Sequence, residues 1–182
     1  MAETSRRFLL KVRTSEAHRR VDEKIGSFDS ARSYGRYLIG LYGFRHPIEQ
    51  ALANVQWPEV LEGWRPTCVS GDIRADLHAL GLEPATDAAT HDGFPSSSSL
   101  FGCLYVLEGS AFGARVLLRR AHAIGLTTSG ASHLVAQAAS TGWARFVAAL
   151  EATPDLDMDI ATSAAVETFA AAETAFARPQ YA

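Results

Sequence analysis

The stretch Ser98-Ser99-Leu100-Phe101-Gly102-Cys103-Leu104-Tyr105-Val106-Leu107-Glu108-Gly109-Ser110-Ala111-Phe112-Gly113-Ala114-Arg115-Val116-Leu117-Leu118-Arg119-Arg120 opens as an apolar run of helical length and closes on arginines. Glycine inside a helix costs about 1 kcal/mol relative to alanine. Gly109-x-x-x-Gly113, flanked by Ser110 and Ala114, is therefore unfavourable for the helix alone. At 100° per residue Val106, Gly109, Gly113 and Leu117 share one face, with the glycines about 6 Å apart along the axis. That face is a shallow backbone trough. It suits either a second helix packed closely or a flat ligand laid over it. A Gly/Ser site also predicts a bend in the helix.

The rest of the chain reads as helical around it. With 182 residues the sequence has the size of one domain (1–182), and 47% hydrophobic content with a mean hydropathy of −0.01 describes a globular protein. A net charge of −3 gives no overall attraction for nucleic acid, and all but two (Lys11 and Lys24) of the 17 basic residues are arginine. No run reaches the roughly 18 apolar residues of a membrane span, and residues 1–7 lack the core of a secretion signal, so a cytoplasmic, membrane-free protein is expected. Cys68 and Cys103 have no metal or redox spacing and read as reduced core thiols. Hairpin signals and sustained alternation are absent, which makes the expected fold class all-α.

Residues 6–25 form the clearest helix, with Leu10, Thr14, Ala17, Val21 and Ile25 on one face and Gly26 as its stop. Ser30 or Ser33 caps a second helix whose inner face carries Tyr34, Tyr37, Leu38, Leu41, Ile48, Leu52 and Val55. Pro47 predicts a kink or break within it. Residues 56–67 read as a connector with one helical turn, 68–80 as a short helix ending at Gly81, and 82–96 as a loop. The serines at 96–99 cap the glycine-bearing helix, which runs to Ile124-Gly125. A helix over 130–151 places Val135, Ala138, Ala139, Gly142, Phe146 and Leu150 inward. One over 159–177 puts Val166, Phe169, Glu173 and Phe176 on a face.

None of the six histidines forms a His-x3-His pair. A haem iron, however, needs only one protein ligand. His18, at the edge of the first helix's apolar face, has Asp22 one turn on, where a carboxylate can hold the ring nitrogen that does not face a metal. The alternative is a surface histidine paired with that aspartate. Trp143 and Phe169 read as core aromatics.

Leu10-Lys11-Val12-Arg13-Thr14-Ser15-Glu16-Ala17-His18-Arg19-Arg20-Val21-Asp22 resembles the proximal helix of the haem oxygenases, in which a threonine precedes the iron-binding histidine by four. Tyr105-Val106-Leu107-Glu108-Gly109-Ser110-Ala111-Phe112-Gly113-Ala114-Arg115-Val116-Leu117 resembles their glycine-rich distal helix. Its Leu-Glu-Gly-Ser form, together with Gly142-Trp143-x-x-Phe146 and Thr168-Phe169…Glu173, is similar to the bacterial branch associated with bacteriophytochromes.

The resemblance implies a single-domain helical bundle with a kinked distal helix, and opening of haem by O2 to biliverdin, CO and ferrous iron. It implies His18 as the iron ligand with Asp22 orienting it, and Gly109, Ser110 and Gly113 as the catalytic distal segment. Lys11, Tyr105 and Arg145 would join His18, Gly109 and Gly113 in contacting haem, the first three at the propionates. Ser110 stands where mammalian members carry an aspartate, a serine there being usual for this bacterial branch, and Ala114 replaces a glycine common in the family and so is expected to narrow the distal pocket. No nicotinamide or flavin fingerprint is present, so electrons would come from a separate ferredoxin or reductase, and a bacteriophytochrome is a conceivable bilin acceptor. Two other readings stand beside this one: a relative that carries haem or a bilin without turnover, and a helical interaction module in which His18 is dispensable.

Overall fold

Eight helices follow one another in the structure, a computed structural model that describes residues 5–84, 90–127 and 129–177: α1 (Arg6–Ile25), α2 (Ala31–Leu52), α3 (Ser70–Ala79), α4 (Ser97–Gly109), α5 (Ala111–Ala123), α6 (Ser132–Ala139), α7 (Trp143–Ala152) and α8 (Met158–Ala177). One 3-10 turn, Glu59–Leu61, interrupts the connector after α2. The described residues contain no strand, as the sequence pattern requires.

The local signals explain most boundaries. The Ser5 hydroxyl accepts the Phe8 N–H at the start of α1, and Gly26 ends that helix at φ +62°. Ser30 with Ser33, and Ser96 with Ser99, form reciprocal capping boxes on α2 and α4. Gly81 and Gly125 close α3 and α5 in the left-handed conformation, and each is followed by a bond from the next amide (Leu82 to Leu77, Leu126 to Ala121) that completes a Schellman turn.

Three expectations need correction. Pro47 does not break α2, which runs through it to Leu52. The helix expected over 130–151 is two: Ser140 turns extended and α7 restarts at Trp143. Its inward face also differs, because His133, Leu134 and Gln137 are buried while Val135 and Ala139 are exposed. Only Cys103 is a core thiol, its pKa pushed up to about 11 by burial. Cys68 is exposed, and both are free.

The scaffold is organised on α8. Both α1 and α4 pack along it, α2 adds a third side, and α3, α6 and α5 follow in a second row. The face of α8 that makes this possible is a stripe of small side chains, Ala161, Ala165, Ala172 and Ala175, beside the expected face, on which Phe169 is buried, Glu173 pairs with Arg20 and Phe176 stacks on Tyr37. At Gly102 the α4 backbone lies on the Ala161 carbonyl, and a methyl there would overlap that oxygen. The 27-residue segment Ser97–Ala123 is long and apolar enough by composition to cross a bilayer, but half of it is buried inside this bundle.

Between α3 and α6, Asp76 accepts the His133 ring at 2.7 Å together with the backbone N–H groups of Ser132 and His133. Burial alone would raise the Asp76 carboxyl, but these bonds outweigh it and hold it below its usual range. Burial lowers His133 below its ordinary value, and the Asp76 bond only partly opposes this.

Two outcomes follow from the packing. Gly102→Ala should destabilise the fold by about 3 kcal/mol, measured by chemical denaturation, because the obstructing atom is backbone and cannot rotate away. Acid should destabilise the protein in two stages. Below about pH 6.5 the unfolded chain protonates His133 while the folded one resists, and below about pH 4 the same asymmetry reaches Asp76. A His133→Phe variant should lose the upper stage of the stability–pH curve.

Candidate functional site

His18 stands exposed on α1, its Nδ1 2.9 Å from Asp22 Oδ2. The i,i+4 spacing brings the two together without help from any other element. Nε2 is left without a hydrogen-bond partner among the described residues. The imidazole edge meets the Phe169 ring of α8 at 5.6 Å between centroids, at 68°. Two residues on, Arg20 pairs with Glu173 of α8 at 3.0 Å, so α8 holds this part of α1 by an ion pair as well as by the aromatic contact. Lys11 lies seven residues before His18, nearly in line with it, and is exposed.

The glycine segment forms the other wall. The helix is interrupted at Ser110, whose N–H still reaches Val106 but whose carbonyl accepts from Gly113 in a tighter i to i+3 bond. The Gly/Ser bend is therefore real. Gly109, Phe112, Gly113 and Val116 share the face beyond it. Phe112 is 62% exposed and Val116 41%, and no described atom lies within 4 Å of where a Gly113 Cβ would stand. A Gly109 Cβ would first meet the Trp143 ring, at 3.9 Å. Trp143 in turn packs on Tyr105 and Phe112, with centroids at 5.9 Å and 5.3 Å.

Tyr105 joins the two walls. Burial raises its phenol pKa, and Thr14 and the charge of Arg7, both on α1, oppose this in part. Elsewhere α1 has little backbone packing against α4 or α5, although α1 and α4 both lie on α8. Phe8 and Val12 of α1 are likewise more than half exposed. α1 thus carries an imidazole nitrogen without a partner among the described residues, and the α4–α5 segment carries an exposed face of partly bare backbone, each with exposed apolar side chains beside it.

Two sequence-derived residues fall elsewhere. Arg145 lies about 200° around α7 from Trp143, and its Nη2 donates to the Glu62 carbonyl at 3.4 Å. Ala114 is 1% exposed and points into the core, roughly opposite the open face, so its methyl does not narrow the trough. The Ser110 hydroxyl donates to the Leu107 carbonyl at 2.6 Å and accepts from Gln137 Nε2 at 3.2 Å, so it already serves the bend. Sequence reasoning passed over Gln137 and gave Phe112 no role of its own, and it read Trp143 and Phe169 as core aromatics, which holds for the buried Phe169. The polar Gln137 on an otherwise apolar turn was the one signal available.

A haem fits this donor set. An imidazole nitrogen with its opposite nitrogen held by a carboxylate is the ligand that haem iron takes, and an uncovered glycine face admits a flat ring at backbone distance. No family model matches the sequence. The chain is 31% identical to the haem oxygenase PigA of Pseudomonas aeruginosa, the match covering 78% of this chain and 75% of that one. It is 34% identical to a haem oxygenase of Xanthomonas campestris pv. campestris over 61% of this chain and 65% of the relative. Its fold matches crystal structures of the NO- and CO-bound haem oxygenase from Neisseria meningitidis with a TM-score of 0.78 at 22% identity, covering 96% of this chain and 91% of that one. With a relative of that identity matched along three quarters of its length, the chain belongs to the haem oxygenase family.

Proposed function

We propose that this enzyme binds haem in the cleft between α1 and α5 and opens it with O2 to biliverdin, CO and ferrous iron, in the cytoplasm, with electrons from a separate donor protein. Two observations support the reading: the unpartnered Nε2 of His18 on α1, and an exposed face made of Gly109, Phe112, Gly113 and Val116 on the α4–α5 segment. Exposing this much apolar surface is unfavourable unless something covers it.

Each residue then has a defined task. Asp22 fixes the His18 ring so that Nε2 is presented to iron. Phe169 limits the ring's rotation. Gly109 and Gly113 bring backbone, not side chain, against the distal face of haem, leaving room there for O2 and bound water. Phe112, Val116, Phe8 and Val12 cover the apolar edges and exclude bulk solvent. Lys11, in line with His18, supplies a cation for a propionate. Haem itself supplies the redox iron and the ring that is opened. Arg145 meets a propionate only if its side chain leaves Glu62. The Leu-Glu-Gly-Ser sequence supports a bilin acceptor of the phytochrome type downstream.

The reading in which haem is carried without turnover drew on Ala114, and that residue faces the core. Turnover separates the two directly. Hemin-loaded protein given ascorbate or a ferredoxin system in air should lose its Soret band while a broad red bilin absorption grows, with biliverdin identified by mass. A Soret band that persists would establish a carrier instead. Gly113→Leu should fold and be as stable as wild type or more so, by up to about 1 kcal/mol, since its side chain enters open space and leucine favours the helix over glycine. The same variant should weaken hemin binding about tenfold or more in a titration, equivalent to about 1.4 kcal/mol.

A further inference from the structure

Glu108 ends α4 beside Gly109 and is 3% exposed. A carboxyl there is unfavourable where a leucine would fill the same space. Burial raises the Glu108 pKa, and the Thr67 N–H and the Arg45 charge lower it only in part. Stability does not account for the residue, but its contacts do.

Glu108 Oε1 accepts the Thr67 N–H at 3.2 Å. Thr67 is a junction: its carbonyl accepts from Arg45 Nη2 at 2.6 Å, and its hydroxyl donates to Ser140 Oγ at 3.1 Å. Ser140 Oγ in turn accepts the Gly142 N–H at 3.4 Å. Glu108 Oε2 lies 2.9 Å from where a Gly142 Cβ would stand, so a side chain at that position would push the carboxylate aside. The next residue is Trp143, whose ring meets Gly109. On the other side of the bend, Gln137, 6% exposed, holds Ser110 Oγ. The residues before and after Gly109 are thus tied to different elements, one to the connector after the 3-10 turn and one to α6.

We infer that Glu108 and Gln137 are positioning residues for haem oxygenation, which fix the bend at Gly109–Ser110 from its two sides and so set the gap over the haem face and the seat of Trp143. The inference rests on haem occupying the α1/α5 cleft. Neither residue touches haem in this account, and both act through the glycine backbone and Trp143.

The test uses full-length wild type, Glu108→Ala, Glu108→Gln and Gln137→Ala, each loaded with hemin, reduced and exposed to CO. The infrared C–O stretch reports the distal surroundings, and thermal unfolding of the haem-free proteins reports stability. Glu108→Ala and Gln137→Ala should shift or split the C–O band. Glu108→Gln retains an oxygen for the Thr67 N–H and should restore the single wild-type band. Altered unfolding temperatures with an unmoved band in both alanine variants would overturn the inference, since that is the signature of a merely structural role. If Glu108→Ala does not fold, Gln137→Ala decides alone, and an unmoved band there overturns it. Wild-type protein that forms no CO complex would overturn the haem placement beneath it.

Discussion

Gly102 lets the backbone of α4 rest on the Ala161 carbonyl of α8, and the position of the site's second wall descends from that contact. With α4 held this close, α8 can serve α1 on its other flank, and Phe169 and Glu173 reach His18 and Arg20 from the same helix. The alanine stripe on α8 is what keeps the crossing tight. A larger side chain at any of these positions would lift one wall of the cleft relative to the other.

The two walls differ in how they are held. His18 depends on one helix and one aromatic neighbour, so its geometry is local and tolerant of changes elsewhere. The glycine segment depends on long-range polar bonds: Glu108 to Thr67, Gln137 to Ser110, and behind them the buried Arg45–Glu49 pair at 2.8 Å. That pair itself anchors the connector, since Glu49 accepts the amides of Val69 and Ser70. Buried polar networks of this kind favour one arrangement over near alternatives more than they add stability. Phe8, Val12, Phe112 and Val116 are by contrast left exposed, and in the proposed function a flat ring covers them.

What could be read from the sequence was whatever lies within one helix. The α1 face, its glycine stop and the His18–Asp22 pair follow from 3.6-residue spacing, and the structure repeats them. The bend at Gly109–Ser110 was legible for the same reason. The break after Ala139 was not: helical propensity runs on through Trp143, whereas Ser140 turns extended and its hydroxyl meets Thr67 Oγ1, a residue far away in the chain. Ala114 misled because spacing alone cannot say which side of a bent helix faces the core. Arg145 belongs to the same class, its direction set by the Glu62 carbonyl.

The most direct measurement of the central assignment is the iron–histidine stretch in the resonance Raman spectrum of the ferrous haem complex. Wild-type protein should show it, and His18→Ala should lose it and regain an iron–nitrogen mode when free imidazole is added. A His18→Ala protein that keeps the wild-type stretch without imidazole would contradict the account, because another side chain would then hold the iron and the cleft between α1 and α5 would not be where haem binds.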